Sequence, residues 1–140
     1  MPAEMQLAHV LQIPPGKETV NLRLLGLGSG EPMVYYDAYF PHELGLFLTQ
    51  RALEWSARGV PFSTFDLYDR TSSTYPVRVE QAFEATLADE AMARVFKVRK
   101  GSALLVITSI FLDREGNPTE FRKAWYRGEK YRFYLTRNLE

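Results

Sequence analysis

The sequence predicts an α+β domain, an antiparallel β-sheet flanked by helices. The chain has 140 residues, of which 46% are hydrophobic, enough to bury the core of one domain. Strand-like segments follow one another through short turns, and helical segments are inserted between them without alternating one for one. No internal repeat, low-complexity segment or linker interrupts the chain. We therefore expect a single domain over residues 1–140, with one face of its sheet under helices.

Composition excludes several classes of function. Seventeen basic residues balance seventeen acidic ones, so the overall charge does not favour binding of this chain to nucleic acid or an anionic membrane. Cysteine is absent, and His9 and His42 are the only histidines, which argues against a disulfide framework, a thiolate nucleophile and a metal site. Neither a signal peptide nor a membrane-spanning segment is recognisable. These features predict a cytoplasmic protein without metal or cofactor.

The first half of the chain predicts a helix, a hairpin and further helical turns. Residues 3–11 have helical spacing and are followed by "IPPG", which ends a helix. Residues 19–40 read as two strands joined at "GSGEP". The segment 41–59 has apolar residues at helical spacing, fits one or two helices, and is stopped by Gly59 and Pro61. Ser63 and Asp66 resemble a capping box, which predicts a helix starting at Ser63.

The second half predicts three further strands, a helix and an edge strand. Residues 75–87 alternate as a half-buried strand with an acidic second face, and Asp89 caps a helix over 90–98. The most apolar stretch, "ALLVITSIFL", predicts a strand covered on both faces and central in the sheet. "DREGNP" then turns the chain back so that "TEFRKAWY" pairs with it. A last strand, "YRFYLT", is expected at an edge.

Carboxylates are the first candidates for chemistry. Glu80 and Glu84 share one face of their strand, and Glu120 lies on another strand that could be near them, so an acid–base pair is conceivable. The stronger interpretation is that Glu80 and Glu84 are solvated. Glu120 sits among Phe121 and Trp125 and therefore either bonds a ligand or forms a salt bridge to Arg78 or Arg122; the sequence leaves both open.

Three other features favour structural roles. The basic and aromatic run from Arg122 to Arg137 is interrupted by acidic residues and alternates between strand faces, so we interpret it as a solvated edge and not as a nucleic-acid patch. The glycine-rich segment 26–30 is not followed by a helix or a lysine, which argues against a phosphate loop. Aromatic residues on the second strand are more typical of core than of a ligand pocket: Tyr35, Tyr36, Tyr39 and Phe40.

Several segments taken together resemble a known family. They are "VLQIPPGKETVNLRLLGLGSGEPMVYYDAYFP", "VEQAFEATLADEAMARVFKVRKGSALLVITSIFLDREGNPTEF" and "YRGEKYRFYL". This combination resembles the UTRA domain, the effector-binding half of the HutC group of GntR-type bacterial transcription regulators. The resemblance implies a chorismate lyase-like fold, a homodimer, a small-molecule effector, and DNA binding only through a separate N-terminal winged-helix domain. We interpret the chain as such an effector domain without its DNA-binding domain.

The resemblance also implies candidate ligand-binding residues. Family members that bind sugar phosphates have arginines on the first strand and an acidic residue on the second, where this chain has Leu24, Gly26 and Tyr36. Without those charges the sequence disfavours a sugar phosphate, and an aromatic-lined pocket with one carboxylate favours a neutral or cationic, partly apolar ligand. The remaining predicted site residues are Ser63, Phe65, Arg78, Glu120 and Tyr126.

One geometric condition applies to the last pair. Glu120 and Tyr126 are six residues apart, roughly 20 Å along a straight strand at about 3.3 Å per residue. They can share a small ligand only if the strand bends or ends between them. If it does, Glu120 would bond the effector, and Tyr126 with "RGEKYRF" would close the pocket.

The predicted function is that of a ligand sensor without catalytic residues. Ligand binding would shift the balance between dimer arrangements and so change the spacing of attached DNA-reading domains. Two alternatives stay open: an enzyme of the chorismate lyase type, which the fold permits, and a dimerisation module that has lost its ligand.

Overall fold

A computed structural model of the chain describes residues 5–59 and 61–139. It contains five strands, three α-helices and one turn of 3-10 helix. In chain order the elements are α1 (Met5–Leu11), β1 (Thr19–Gly28), β2 (Glu31–Pro41), α2 (His42–Arg58), the 3-10 helix (Thr64–Leu67), β3 (Arg78–Leu87), α3 (Glu90–Phe96), β4 (Ala103–Leu112) and β5 (Pro118–Arg127).

The five strands form one antiparallel sheet in the order β1-β2-β5-β4-β3. The predicted β1–β2 hairpin is confirmed, and its loop residues Ser29 and Gly30 both have positive φ, as a two-residue turn between twisted strands requires. β4 was predicted to be central; it is an interior strand, but the middle position belongs to β5. β5 holds that place because it pairs with β4 through the predicted turn and with β2 on its other side.

Helices cover both faces of the sheet, so the prediction of a single covered face is wrong. α2 and the 3-10 helix pack on the face that carries Ala38 and Phe40, which we call the α2 face. α3 packs Phe96 on the opposite face, against Leu104 and the half-buried Trp125. The alternation of strand side chains supplies apolar residues to both layers.

The helical predictions are confirmed with shifts at their ends. α1 begins at Met5 among the described residues, and positions 3 and 4 of the predicted helix lie outside them. Residues 42–58 form one helix, ended by Gly59 in the left-handed conformation at φ 71°. The Asp89 carboxylate accepts a hydrogen bond from the Met92 N–H at 2.8 Å, which is the expected cap of α3. In the described parts of the chain, no helix combines the length and apolarity needed to cross a bilayer.

β3 was predicted to be half-buried, and it is exposed on both faces along nearly all its length. Val79 is 41% exposed and Phe83 is 50% exposed, although both lie on the α2 face. The reason is position: β3 is an edge strand that pairs only with β4, and neither α2 nor α3 extends over it. Alternation alone could not reveal this, because it shows which residues share a face and not what covers that face.

The predicted last strand is also wrong. Residues 131–139 have no regular secondary structure. The sheet offers no neighbouring edge, because β5 is already paired on both sides. Instead the Tyr131 and Phe133 rings lie against Tyr126, with ring centroids 4.4 and 5.4 Å away, and Phe133 reaches Phe83 at 5.2 Å.

Candidate functional site

A cavity of about 450 Å³ opens on the α2 face between the sheet and the segment that leads into β3. Sheet residues form its floor, and residues around positions 63–65 and 76–78 form its wall. The lining residues are Tyr36, Ser63, Phe65, Pro76, Val77, Arg78, Val79, Gln81, Phe111 and Arg122. Most of this lining is aromatic or aliphatic, with a few polar groups, which is the usual composition of a small-molecule site.

Strand register explains how distant residues meet in the floor. Arg122 on β5 lies opposite Ser109 on β4, which in turn lies opposite Gln81 on β3. Since paired residues point to the same face, these side chains form a row across the sheet. Gln81 donates a hydrogen bond from Nε2 to the Ser109 hydroxyl at 3.1 Å, which fixes its amide in the floor.

The wall is set by a short capped turn. The Ser63 N–H donates to the Asp66 carboxylate at 2.8 Å, so the predicted capping box is present, but only four residues of 3-10 helix follow. Phe65 remains 41% exposed and leans on Tyr75, with ring centroids 5.4 Å apart. The turn therefore presents an aromatic ring to the cavity instead of burying it in the core.

Arg122 is the charged group of the floor. Its side chain is only 9% exposed, and its guanidinium lies 5.0 Å from the Tyr36 ring centroid and 4.8 Å from that of Phe111. Nη1 donates to the Thr64 hydroxyl at 2.7 Å, whereas Nε is buried without a hydrogen-bond partner. The two rings hold the cation by cation–π attraction and restrict its orientation.

Glu120 lies next to Arg122 on the same face and is completely buried. The Thr64 hydroxyl donates to Oε2 at 2.7 Å, and the Tyr68 hydroxyl donates to Oε1 at 3.0 Å. Burial raises the pKa of Glu120, while nearby Arg122 and the two hydroxyl donors act to lower it. Burial, followed by the charge of Glu120, raises the pKa of Tyr68, so its hydroxyl stays a donor. The carboxyl is therefore held within the protein and does not line the cavity.

The structure brings together four of the seven predicted site residues. Tyr36, Ser63, Phe65 and Arg78 line the cavity, and Glu120, Tyr126 and Leu24 do not. Leu24 lies opposite Tyr36 in the β1–β2 register, on the α2 face but outside the lining. β5 runs unbroken from Pro118 to Arg127, in regular register with β4 between Glu120 and Tyr126, so the strand does not end between them.

Tyr126 is placed away from the cavity by its own contacts. It packs edge-on against Tyr36 at 6.4 Å and beneath the rings of residues 131 and 133. Burial, followed by the proximity of Tyr36, raises the pKa of its hydroxyl. The "RGEKYRF" segment thus covers Tyr126 and does not close the cavity.

Neither salt bridge expected for Glu120 is formed. Arg78 pairs instead with Glu80 at 2.8 Å, and Arg122 makes no ion pair with a carboxylate in the described part of the chain. Glu80 and Glu84 lie on the face opposite Glu120, because Glu120 aligns with Phe111 and thereby with Val79. The carboxylates weighed as an acid–base pair are therefore separated by the sheet.

Sequence reasoning missed Arg122 as a site residue, together with Phe111 and Gln81. For Arg122 a signal existed, since it is two positions after Glu120 and must share its face. No such signal exists for the hydroxyls of Thr64 and Tyr68, which reach β5 only after the 3-10 helix docks on it. Within the ranges 5–59 and 61–139, no cluster of three or more acidic or histidine side chains could hold a metal ion.

Comparison with known proteins identifies the family. The UTRA domain family matches residues 1–132. The chain belongs to the UTRA domain family. This confirms the family predicted from the sequence and supports the predicted class of function, a ligand-binding regulatory domain.

A curated relative of this UTRA domain is the uncharacterized HTH-type transcriptional regulator RB1450 of Rhizobium meliloti (strain 1021). It is 23% identical over 135 residues, which is 96% of this chain and 53% of the relative. The chain therefore spans about half the length of that relative.

Solved structures share the fold at low sequence identity. The ligand-binding domain of a GntR-family regulator from Bordetella bronchiseptica has a TM-score of 0.82 at 22% identity, covering 99% of this chain and 84% of that one. A GntR-family regulator from Enterococcus faecalis V583 has a TM-score of 0.81 at 18% identity, covering 98% and 94%. The effector domain of PhnF from Mycobacterium smegmatis has a TM-score of 0.76 at 18% identity, covering 99% and 82%. The α+β, antiparallel fold predicted from the sequence is thus confirmed.

Proposed function

We propose that this UTRA domain is the effector-binding domain of a GntR-type transcription regulator, and that the cavity on the α2 face receives the effector. DNA would be bound by a separate domain of the whole regulator. The observation that carries this proposal is the cavity itself: about 450 Å³, with aromatic and aliphatic walls and an arginine in the floor. The family and the fold of the neighbours support the same function.

The location of the cavity suggests how ligand binding would affect a dimer interface. Its lining includes Val79 and Gln81 from β3, and β3 is an exposed edge strand of the sheet. An exposed edge strand with apolar side chains such as Phe83 is suited to pairing with a second copy. We propose a homodimer through this edge, in which a ligand that contacts β3 changes the relative stability of two dimer arrangements.

Two alternatives fit specific features less well. An enzyme of the chorismate lyase type needs positive charge in the pocket, and Arg122 and Arg78 supply some from β5 and β3, although Leu24 and Gly26 do not. However, Glu120, the carboxylate that shares the α2 face of β5 with Arg122, is completely buried and does not line the cavity, so a substrate there would not reach it. A dimerisation module without a ligand would have no need to keep a buried arginine beside an open cavity. We therefore propose a binding domain that performs no chemistry.

A thermal-shift screen against amino acids, amines, sugars, sugar phosphates and organic acids tests the proposal. A ligand that binds only the native state must raise the melting temperature in a saturable way. Val79→Trp would fill the cavity and remove the shift. Leu53→Trp is the matched control, because Leu53 is 68% exposed on α2 and lies outside the cavity.

The outcomes separate the functions. A shift that survives Val79→Trp would place the ligand elsewhere and contradict the proposed site. Turnover of a stabilising compound would favour the enzyme. A folded dimer that no compound stabilises would favour the dimerisation module.

A further inference from the structure

Arg122 has more hydrogen-bond donors than its described contacts use. A guanidinium has five N–H donors, and the described contacts account for one, from Nη1 to the Thr64 hydroxyl at 2.7 Å. Nε has no partner, and the side chain is 9% exposed. A nearly buried cation with unused donors is costly unless something else compensates it.

No described carboxylate forms an ion pair with Arg122. Glu120 lies two positions before Arg122 on the same face, but the two share the Thr64 hydroxyl and form no ion pair. Asp66 accepts from the Ser63 N–H, and Glu80 lies on the opposite face of the sheet, where it pairs with Arg78. The guanidinium is therefore attractive to an anion that enters the cavity.

The rest of the lining describes the body of such a ligand. Tyr36 and Phe111 flank the guanidinium, and Phe65, Val77 and Val79 complete an apolar surround. Of the two basic residues in the lining, Arg122 is the nearly buried one, and its surroundings are otherwise apolar or weakly polar. Arg78, the second arginine of the lining, is 67% exposed and is paired with Glu80. One available guanidinium suits a planar monoanion better than a phosphate dianion, which needs several donors.

We propose that the effector of this domain is a monocarboxylate with a flat or apolar body, and that Arg122 binds its carboxylate. This rests on the proposed function of the cavity and names the chemical class of its ligand. It also replaces the expectation of a neutral or cationic ligand, which assumed that Glu120 faces the cavity. Arg122 would determine specificity, and the rings on either side would hold it in position.

A matched series of small compounds tests the charge requirement. The probes are 3-phenylpropanoate, 3-phenylpropanamide and 3-phenylpropylamine, which share one body and differ in the polar group. Their dissociation constants are measured by NMR titration on the wild-type chain. The acid should bind at least about tenfold more tightly than the amide, since a charge-assisted hydrogen bond contributes that much, and the amine should bind most weakly.

Variants assign the effect to Arg122. Arg122→Met should weaken binding of the acid about tenfold to a hundredfold and leave the amide unchanged. Arg122→Lys keeps the charge but loses the planar fork, so its affinity for the acid should lie between those of the wild type and Arg122→Met. It also tests the inference if the Met variant does not fold. Arg94→Met, at an exposed position of α3, is the matched control and should bind all three probes like the wild type.

Two results would overturn the inference. The first is a failure of the charge requirement: the amide or the amine binds as tightly as the acid, or Arg122→Met leaves binding of the acid unchanged. In that case saturable binding that Val79→Trp abolishes would still support the cavity as the effector site. The second is no saturable binding by the acid or by a wider set of monocarboxylates; the proposed function would then depend on neutral or cationic hits in the screen.

Discussion

Glu120 and Arg122 contact the same hydroxyl from two sides: Thr64 Oγ1 donates to Glu120 at 2.7 Å and accepts from Arg122 at 2.7 Å. The acid and the base are two residues apart on β5 and are linked through a residue more than fifty positions away. Thr64 belongs to the 3-10 helix that also supplies a wall of the cavity. This hydroxyl therefore fixes both the floor and the wall of the proposed effector site.

Thr64→Val should destabilise the domain, because it leaves a buried carboxylate and a buried guanidinium each short of a partner. We expect a loss of about 1–3 kcal/mol in the free energy of unfolding, measured by urea denaturation. Thr49→Val is the matched control. The Thr49 hydroxyl is buried without a partner, so its removal should cost nothing or stabilise the protein. Equal losses for the two variants would contradict the role assigned to Thr64.

Glu120 should make stability depend on pH. Its pKa is raised in the folded state, chiefly by burial, above the ordinary value of 4.5. The folded protein therefore binds this proton more tightly than the unfolded chain does. The resulting stabilisation is complete below the unfolded pKa and is lost as pH rises through the folded pKa.

The measurement compares the wild type with Glu120→Gln. Urea unfolding between about pH 5 and pH 8 should show the stability of the wild type falling relative to the Gln variant as pH rises. Gln keeps the size of the side chain and does not titrate. If the wild type instead keeps or gains stability relative to Glu120→Gln as pH rises, Glu120 is already ionised in the folded protein at low pH.

Gly45 allows α2 to approach β1 closely. A Cβ at this position would overlap the Val20 side chain. Gly45→Ala should therefore cost about 1–3 kcal/mol of stability by overpacking, despite the gain of up to about 1 kcal/mol from helix propensity. Val20→Ala in the same chain should restore part of the loss, because the two substitutions act on one contact. Simple additivity in urea denaturation would argue against this close approach.

The proposed dimer edge can be tested at Phe83. Phe83→Lys places a charge in the middle of β3 and should weaken self-association at least about tenfold by sedimentation equilibrium, since lysine on an edge strand opposes pairing. Leu53→Lys changes an exposed leucine of α2 in the same way and should leave association unchanged. A dimer that tolerates Phe83→Lys but not Leu53→Lys would assign the interface to α2.

The fold could be predicted largely because its signals are local. The β1–β2 hairpin, the Asp89 cap and the turn before β5 each depend on a few adjacent residues. The errors arose where neighbours distant in sequence decide the outcome. β3 has the alternation of a half-buried strand but no covering layer, and residues 131–136 have strand-like composition but no free edge of the sheet beside β5.

The site could be predicted only in part for the same reason. Tyr36, Ser63 and Phe65 were selected by resemblance and do line the cavity. Glu120 was selected as a carboxylate among aromatic residues, but its hydroxyl partners are contributed by a segment whose docking the sequence does not reveal. Arg122 was considered as a partner of Glu120 and as the start of a solvated basic run, but it is nearly buried, and its contact with the Tyr36 and Phe111 rings requires the register of three strands.

The most direct test of the central claim is to map where a stabilising compound binds, by NMR chemical-shift changes of the backbone amides. We predict that the largest changes cluster at the cavity on the α2 face, around Tyr36, Ser63, Gln81 and Arg122. Changes centred instead on the cavity beside Arg51 and Asp69, or on the one beside His9 and Ile13, would contradict the assignment of the effector site.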